Sequence, residues 1–467
     1  MGAMGRISVI KLLLPCTLAL LVGACGGDDS PSGGGVAVNP SPSPSPSPSP
    51  TPTPTASPAE ASVSYLHVFR PDLKDAGQNS SRLLLASNGD FYATTMTGGS
   101  YDCGDVGTCG TVYRISPSGQ QAVVHSFGAD TKQGFTPLGA LIQGRDGALY
   151  GVTAYGGAYG KGTIYKITQS GTFTLLYSFG ENPTDGRTPV GALVQGADGS
   201  LYGATSIGGL NNCQQVPAVA GTGNCGTIFK LALDGTFNTI YNFGTTATDG
   251  VQPTGNLLLA SDGYLYGTTE NGGGNSCTSS NGPGQCGSLF RISTDGELTT
   301  LHKFGTSLQD AIAPRGALIE ATDGNIYGFS VSGGGGTCGF QFGCGTIFRV
   351  SKSGTYSVVY AFAKDGELDG YGPTGLIQAK DGLLYGTTGS GGKYASDTDG
   401  TVFRMTLAGD KKILYSFGPH NINPSNPQEG IVQGPDDAFY GVLRYNGTYN
   451  PIDTLLAGTG AVYRLVP

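Results

Sequence analysis

A segment of the type Leu265-Tyr266-Gly267-Thr268-Thr269 occurs seven times in this chain, and that repetition is what most constrains its folding. Tyr92, Tyr150, Tyr202, Tyr266, Tyr327, Tyr385 and Tyr440 mark the copies, about 58 residues apart on average. A period of that size indicates one supersecondary unit stacked on copies of itself, so the 467 residues are not to be divided into domains by length. Each copy carries four short apolar runs, which in the second read "GALIQG", "ALYGVT", "GTIYKI" and "TFTLLYSF". Asp146-Gly147 separates the first two and Ser170-Gly171 the last two, and such dipeptides between short apolar runs make tight hairpins. Four antiparallel strands repeated at this period make a propeller blade.

The count extends this to a closed ring. The first three kinds of run each occur seven times, and so does the fourth, but its first copy, Tyr65 to Phe69, precedes every other strand. The last repeat ends on Ala461-Val462-Tyr463-Arg464-Leu465 and has no fourth run of its own. The expectation is an all-β, seven-bladed β-propeller over residues 62–467, a single domain in which the N-terminal strand completes the last blade. One blade alone leaves both faces apolar, so blades must stack until the ring closes, and the marker Tyr, followed by Gly in six blades and by Ala93 in the first, is packing chemistry.

Ahead of the repeats, residues 1–24 have the form of an export signal: Arg6 and Lys11, then an apolar stretch from Leu12 to Val22 too short to span a bilayer. Val22-Gly23-Ala24-Cys25 resembles the bacterial lipobox, which makes Cys25 the expected lipidation site; Gly26 after it points to the outer membrane, facing periplasm or cell surface. Residues 25–61 include "PSPSPSPSPSPTPTPTASP", a Pro/Ser/Thr-rich stalk suited to extended polyproline conformation. The membrane is thus expected to be met through the N-terminal lipid only.

The repeats resemble the bacterial GloVer (Gloeo-Verruco) tandem-repeat family, whose unit reads approximately "LHSFG…DG..P.A.L….G.LYGTT..GG…GT.FKL…G". Leu175 to Gly209 reads "LLYSFGENPTDGRTPVGALVQGADGSLYGATSIGG", and "GTIFKLALDG" from Gly226 completes the unit. The resemblance covers Tyr65 to Leu465 and implies propeller-like repeats on a member-specific surface anchor, with no catalytic residues to carry over. Gly pairs such as Gly98-Gly99 and Gly391-Gly392 also look like kelch repeats, but the Trp of kelch blades is missing.

Eight cysteines remain beyond Cys16 and Cys25, paired in sequence as Cys103/Cys109, Cys213/Cys225, Cys277/Cys286 and Cys338/Cys344, each pair inside a loop between second and third strands. In an exported protein this predicts four local disulfides. Zinc would need Cys or His converging from two places, and the four His are scattered, so no metal is expected. Charged residues make up 12% of the chain and the net charge is -8, with no basic stripe, which excludes nucleic acid as a partner.

An active site must break the sevenfold symmetry, so residues present in every blade are structural. The third-strand set Arg114, Lys166, Lys230, Arg291, Arg349, Arg404 and Arg464 is complete, and His67, His125 and His302 replace a fourth-strand Tyr; both sets are expected to pack. Asp75, Asp185, Asp249, Asp310 and Asp369 share one place between blades, with Gln133 and Asn423 in the other two. They are either Asx-turns or an acidic ring of oxygens around the channel mouth. The tight hairpins lie on one face and the long variable loops on the other. That face should carry the contact residues Tyr101, Phe135, Tyr155, Tyr159, Phe340, Phe342, Tyr371, Tyr394, Tyr445 and Tyr449. The functional expectation is a monomeric, cofactor-free, non-enzymatic binding module for an extracellular protein or polysaccharide. The alternatives are a carbohydrate-active lyase or hydrolase at the channel mouth and a passive envelope component.

Overall fold

The computed structural model divides into the units Met1–Ser57 and Pro58–Pro467. The residues it describes all lie in the second: 61–69, 77, 79, 81–103, 109–182, 184–210, 213, 225–245, 249–274, 278–279, 282–283, 286–336, 338, 343–363, 367–394, 399–418, 423–446 and 460–467. The signal segment, Cys25 and the stalk fall outside them, as do Asp75, Cys277, Phe340, Phe342 and Tyr449.

The third blade gives the pattern. Gly186–Gln195, Leu201–Gly208, Thr227–Leu231 and Phe237–Asn242 pair in that order, each antiparallel to the next. The alternation that makes these strands also sorts them. Second strands read Tyr-Gly with β-branched neighbours and are buried on both faces, whereas fourth strands alternate with polar residues and are half exposed. Seven such sheets are present. In the second and fourth blades the first strand is broken in two, Phe135–Pro137 with Ile142–Gln143 and Gly250–Pro253 with Leu258–Leu259. The seventh sheet is made of Pro424–Gln433, Phe439–Asn446 and Ala461–Val466, and its outer strand is Ser62–Val68, with Val63 opposite Leu465 and Tyr65 opposite Tyr463. The ring closes as the strand count requires.

The hydrophobic core lies between blades. Tyr150, Val152, Ile164 and Phe179 of the second blade pack on Leu193, Leu201, Phe229 and Leu231 of the third, all essentially buried. Burial of this kind contributes roughly 25 cal/mol per Å² of apolar surface, and no isolated blade collects it.

A second device joins neighbouring blades. Thr136, Thr188, Gln252, Ala313, Gly372 and Asn426 each precede a proline and hold φ between 52° and 62°. Left-handed backbone costs a non-glycine residue about 1–2 kcal/mol. It aims the N–H at the carbonyl just before the third strand of the preceding blade: Thr136 at Cys109 (2.9 Å), Thr188 at Lys161 (3.1 Å), Gln252 at Cys225 (2.8 Å), Ala313 at Cys286 (3.2 Å), Gly372 at Cys344 (2.9 Å) and Asn426 at Asp399 (2.8 Å). The proline then lies over the glycine that opens that third strand. At Gly162 a Cβ would stand 2.6 Å from Pro189 Cδ and 2.4 Å from the Thr153 carbonyl oxygen. The proline and the Gly-Thr of the repeat unit are two halves of one inter-blade contact.

Candidate functional site: the axial cavity

The first strands converge on the axis, and there the backbones of adjacent blades nearly touch. A Cβ at Gly139 would stand 2.2 Å from the Gly191 carbonyl oxygen, and one at Gly191 2.3 Å from the carbonyl carbon of Gly255. The position seven residues before each hairpin Asp or Asn is therefore small in most blades: Ser81, Gly139, Gly191, Gly255, Gly316 and Thr374. In the last blade it is Glu429. The next position holds Ala140, Ala192, Ala317, Gly375 and Gly430, but Arg82 in the first blade and Asn256 in the fourth. The position before holds Leu138 and Val190, but Arg315 in the fifth blade. The exceptions line one axial cavity of about 500 Å³, together with Gln252 and Glu270 and an apolar wall that includes Ile207, Phe329 and Ile431. Ser206, Ile207 and Glu270 lie where second strands lead into the long loops, so the cavity reaches toward that face.

The charges in it are unevenly satisfied. Arg315 donates from Nη2 to Glu270 Oε1 at 2.6 Å. Arg82 and Glu429 sense each other electrostatically, but among the described residues neither side chain has a hydrogen-bond partner. Enclosure lowers the pKa of the Arg82 guanidinium, and nearby Glu429 opposes that. Desolvation by the surrounding protein pushes the Glu429 carboxyl up to about 7, against the pull of Arg82 and Arg315, although the residue keeps exposed surface within the cavity. Asn256 Oδ1 accepts the Ala192 N–H at 2.9 Å, and Gln252 Oε1 accepts from the Asn271 amide, which leaves both amide NH₂ groups for the cavity.

The aspartates between blades do something else. Asp185, Asp249, Asp310 and Asp369 are at most 8% exposed. Asp185 accepts from the Tyr177 hydroxyl (2.6 Å) and the N–H groups of Gly180 and Asn182. Asp249 accepts from Tyr241 (3.1 Å), Gly244 and Thr245. Asp310 pairs with His302 Nε2 at 3.0 Å and accepts from Thr306 and Tyr356, while Asp369 pairs with Lys411 and accepts from Tyr360 at 2.7 Å. The expected ring of oxygens at a channel mouth is therefore not what these residues form: the four carboxylates are buried and committed to their own loops, and Asp310 and Asp369 also to Tyr356 and Lys411 on the fourth strand of the following blade. Their partners at the fourth-strand Tyr/His position explain that position as well.

The loop aromatics are only partly available. Tyr101, Tyr155, Tyr159 and Tyr394 are 42–49% exposed. Phe135 is half-buried and stacks on Tyr155 with ring centroids 5.9 Å apart. Tyr371 is 1% exposed and belongs to the core, so it is withdrawn as a contact residue. Tyr445 ends the strand Phe439–Asn446, and its side chain lies outside the description. The Cβ atoms of Tyr101 and Tyr159 stand against Gly128 and Gly180, just past fourth strands, and Tyr394 shares a groove with Tyr415, Lys412 and Arg404. Tyr101, Tyr159 and Tyr394 therefore sit near the outer edge of the ring, whereas Tyr155, paired with Phe135 of a first strand, lies closer to the axis.

The local disulfides Cys103–Cys109, Cys213–Cys225 and Cys338–Cys344 are formed, with Cα separations of 5.3, 5.5 and 5.7 Å; Cys286 is disulfide-bonded too. On the short-turn face the third-strand bases meet the hairpin aspartates: Lys166 with Asp146 (2.6 Å), Lys230 with Asp198 (2.8 Å) and Arg464 with Asp436 (2.7 Å). Each of these aspartates also accepts the marker tyrosine's hydroxyl. Among the described residues no His, Cys, Asp or Glu cluster could hold a metal ion.

Strand order and lining residues together describe a seven-bladed β-propeller with a polar cavity on its axis. The chain belongs to the Gloeobacter/Verrucomicrobia repeat family, whose pattern matches residues 55–276 and 218–454. No curated protein matches it. Among solved structures, the extracellular domain of a hybrid two-component system from B. thetaiotaomicron is similar at 10% identity and a TM-score of 0.50, over 85% of this chain and 40% of that one. A fungal alcohol oxidase of the AA5 family in complex with copper is similar at 12% identity and a TM-score of 0.51, over 84% and 74%. What these two share with the chain is the fold. The periplasmic gluconolactonase of Pseudomonas aeruginosa aligns at 15% identity and a TM-score of 0.44, over 74% and 86%.

Proposed function

We propose that this is a lipid-anchored, extracytoplasmic binding module that engages a polysaccharide or protein from its long-loop face, with part of the ligand entering the axial cavity. One observation supports it above the rest. The side chains that break the sevenfold pattern at the axis, Arg82, Asn256, Arg315 and Glu429, all line one cavity. Structural residues repeat from blade to blade, whereas a site for one ligand has no reason to. The test is a glycan array and direct titration with the full-length protein. Ser206→Trp, which puts an indole into the cavity, should abolish binding of a glycan hit, while Tyr101→Ala with Tyr159→Ala should weaken it only where the ligand extends to the rim. Binding untouched by either change would reject the site. Loss of radiolabelled palmitate incorporation in Cys25→Ala would test the anchor.

A carbohydrate-active enzyme at the same place is the second reading, and it draws on Glu429, a carboxyl lining the cavity that its surroundings push up to about 7, the direction a general acid needs. Turnover of a bound glycan that disappears in Glu429→Gln would favour it.

A further inference from the structure

We infer that the axial cavity is a subsite for an acidic sugar, its carboxylate or sulfate group held by Arg82 between Asn256, Gln252 and Arg315. This rests on the reading of the cavity as the binding site and names its ligand class. The inference comes from counting hydrogen-bond capacity. Arg82 brings a guanidinium without a hydrogen-bond partner, and Arg315 has donors left after Nη2 is taken by Glu270. Asn256 and Gln252 each have their oxygen occupied and their NH₂ free. Four donor side chains thus face a space in which Glu270 is already paired and Glu429 is the one carboxylate without a hydrogen bond. Arg82, Asn256 and Gln252 are half-buried and Arg315 is 52% exposed at its side chain, so these donors can exchange solvent for a ligand rich in acceptor oxygens, and the guanidinium fork matches a planar or tetrahedral oxyanion. The apolar wall of Ile207, Phe329 and Ile431 suits the carbon face of a sugar ring.

Glu429 fits the same ligand. Its protonated form donates a hydrogen bond, and its ionised form repels an anion. The charged groups facing it are Arg82 and Arg315, with Glu270 on the far side of Arg315. Binding of an oxyanion should therefore tighten as pH falls through about 7.

The experiment is calorimetric titration of the full-length protein with sodium glucuronate, glucose 6-sulfate and glucose at pH 6 and pH 8. At least one of the two acidic sugars should bind tenfold or more tightly than glucose at pH 6, and more weakly at pH 8. Glu429→Gln should remove most of that pH dependence. Arg82→Gln should lower acidic-sugar affinity at least tenfold and bring it to the level of glucose. Should Arg82→Gln fail to fold, Gln252→Ala replaces it, since Ala313 already occupies the equivalent left-handed position; a threefold or greater loss is expected there. Glucose binding as tightly as both acidic sugars, and lost in Ser206→Trp, would overturn the ligand class and leave the cavity as the binding site. No binding of any of the three, or acidic-sugar binding indifferent to both Arg82→Gln and Gln252→Ala, overturns the inference as well.

Discussion

Single residues in this protein are understood through the neighbour they answer to, often one in the next blade. Asp310 is 3% exposed at its side chain, and burial alone would push its carboxyl up. His302, the N–H and hydroxyl of Thr306, and the Tyr356 hydroxyl outweigh that and hold it down at about 2. A depressed carboxylate stabilises the fold above its unfolded pKa and ceases to do so as pH falls through its folded one. Asp310→Asn should therefore cost about 2 kcal/mol at pH 7 and progressively less between pH 4 and pH 2, as read by urea unfolding at each pH. A penalty that stays constant down to pH 2 would mean that the lost packing, and not the charge, is what matters. The glycines make a cleaner pair. Gly147 has φ +78° with nothing near a would-be Cβ, whereas Gly162 has φ +100° and Pro189 of the next blade against it. Gly147→Ala should cost about 1 kcal/mol from backbone strain alone, and Gly162→Ala on the order of 3 kcal/mol or more, because the inter-blade contact is lost too. Equal costs would mean that proline and glycine do not couple the blades. The eight-residue spacing from Tyr177 to Asp185, Tyr241 to Asp249 and His302 to Asp310 was open to view in the sequence, but it links two positions read separately, one as packing and one as a ring of oxygens.

At the scale of strands and loops, the sequence speaks most directly. Hairpin dipeptides, period-two alternation and paired cysteines are local signals, and the structure follows them closely. The unmatched run Tyr65 to Phe69 called for a partner and found the strand Ala461–Val466. The closure has a cost in vulnerability, since the chain's first strand is held by one ladder on the ring's outer edge. Deleting residues 62–68 should leave Ala461–Val466 an unpaired edge rich in Val and Tyr, prone to pair with another molecule. The deletion variant should aggregate or melt well below the full chain in light scattering and calorimetry. An unchanged melting temperature in a soluble monomer would show that the strand adds nothing to the ring. Rim placement of Tyr101, Tyr159 and Tyr394 was not legible, because loop membership says which face a residue is on and not how far it lies from the axis.

Ring closure creates a site that no stretch of chain contains. A cavity assembled from matching first-strand positions of seven blades, 52–64 residues apart, has no local pattern to read. A signal was nonetheless there: the same test of broken symmetry, applied to the small residue seven positions before each hairpin Asp or Asn, singles out Glu429, and applied to the positions on either side of it singles out Arg82, Asn256 and Arg315. Closure also determines what such exceptions do to stability. Glu429 lines the axial cavity with its side chain open to it, and the protein around it pushes its carboxyl up to about 7, above the ordinary Glu value of 4.5, against the pull of Arg82 and Arg315. The sign is opposite to that of Asp310. Between those two pH values the folded chain holds a proton that the unfolded chain has released, so stability falls as pH rises through the interval and the penalty is complete above it. Glu429→Gln has no proton to lose. Its melting temperature should match that of the parent at pH 4, draw ahead between pH 5 and pH 7, and stay ahead at pH 8. A variant less stable than the parent at pH 8 would mean that the attraction of Arg82 outweighs the desolvation of the charge. In that case the axis is held together by an ion pair and is not kept open for a ligand.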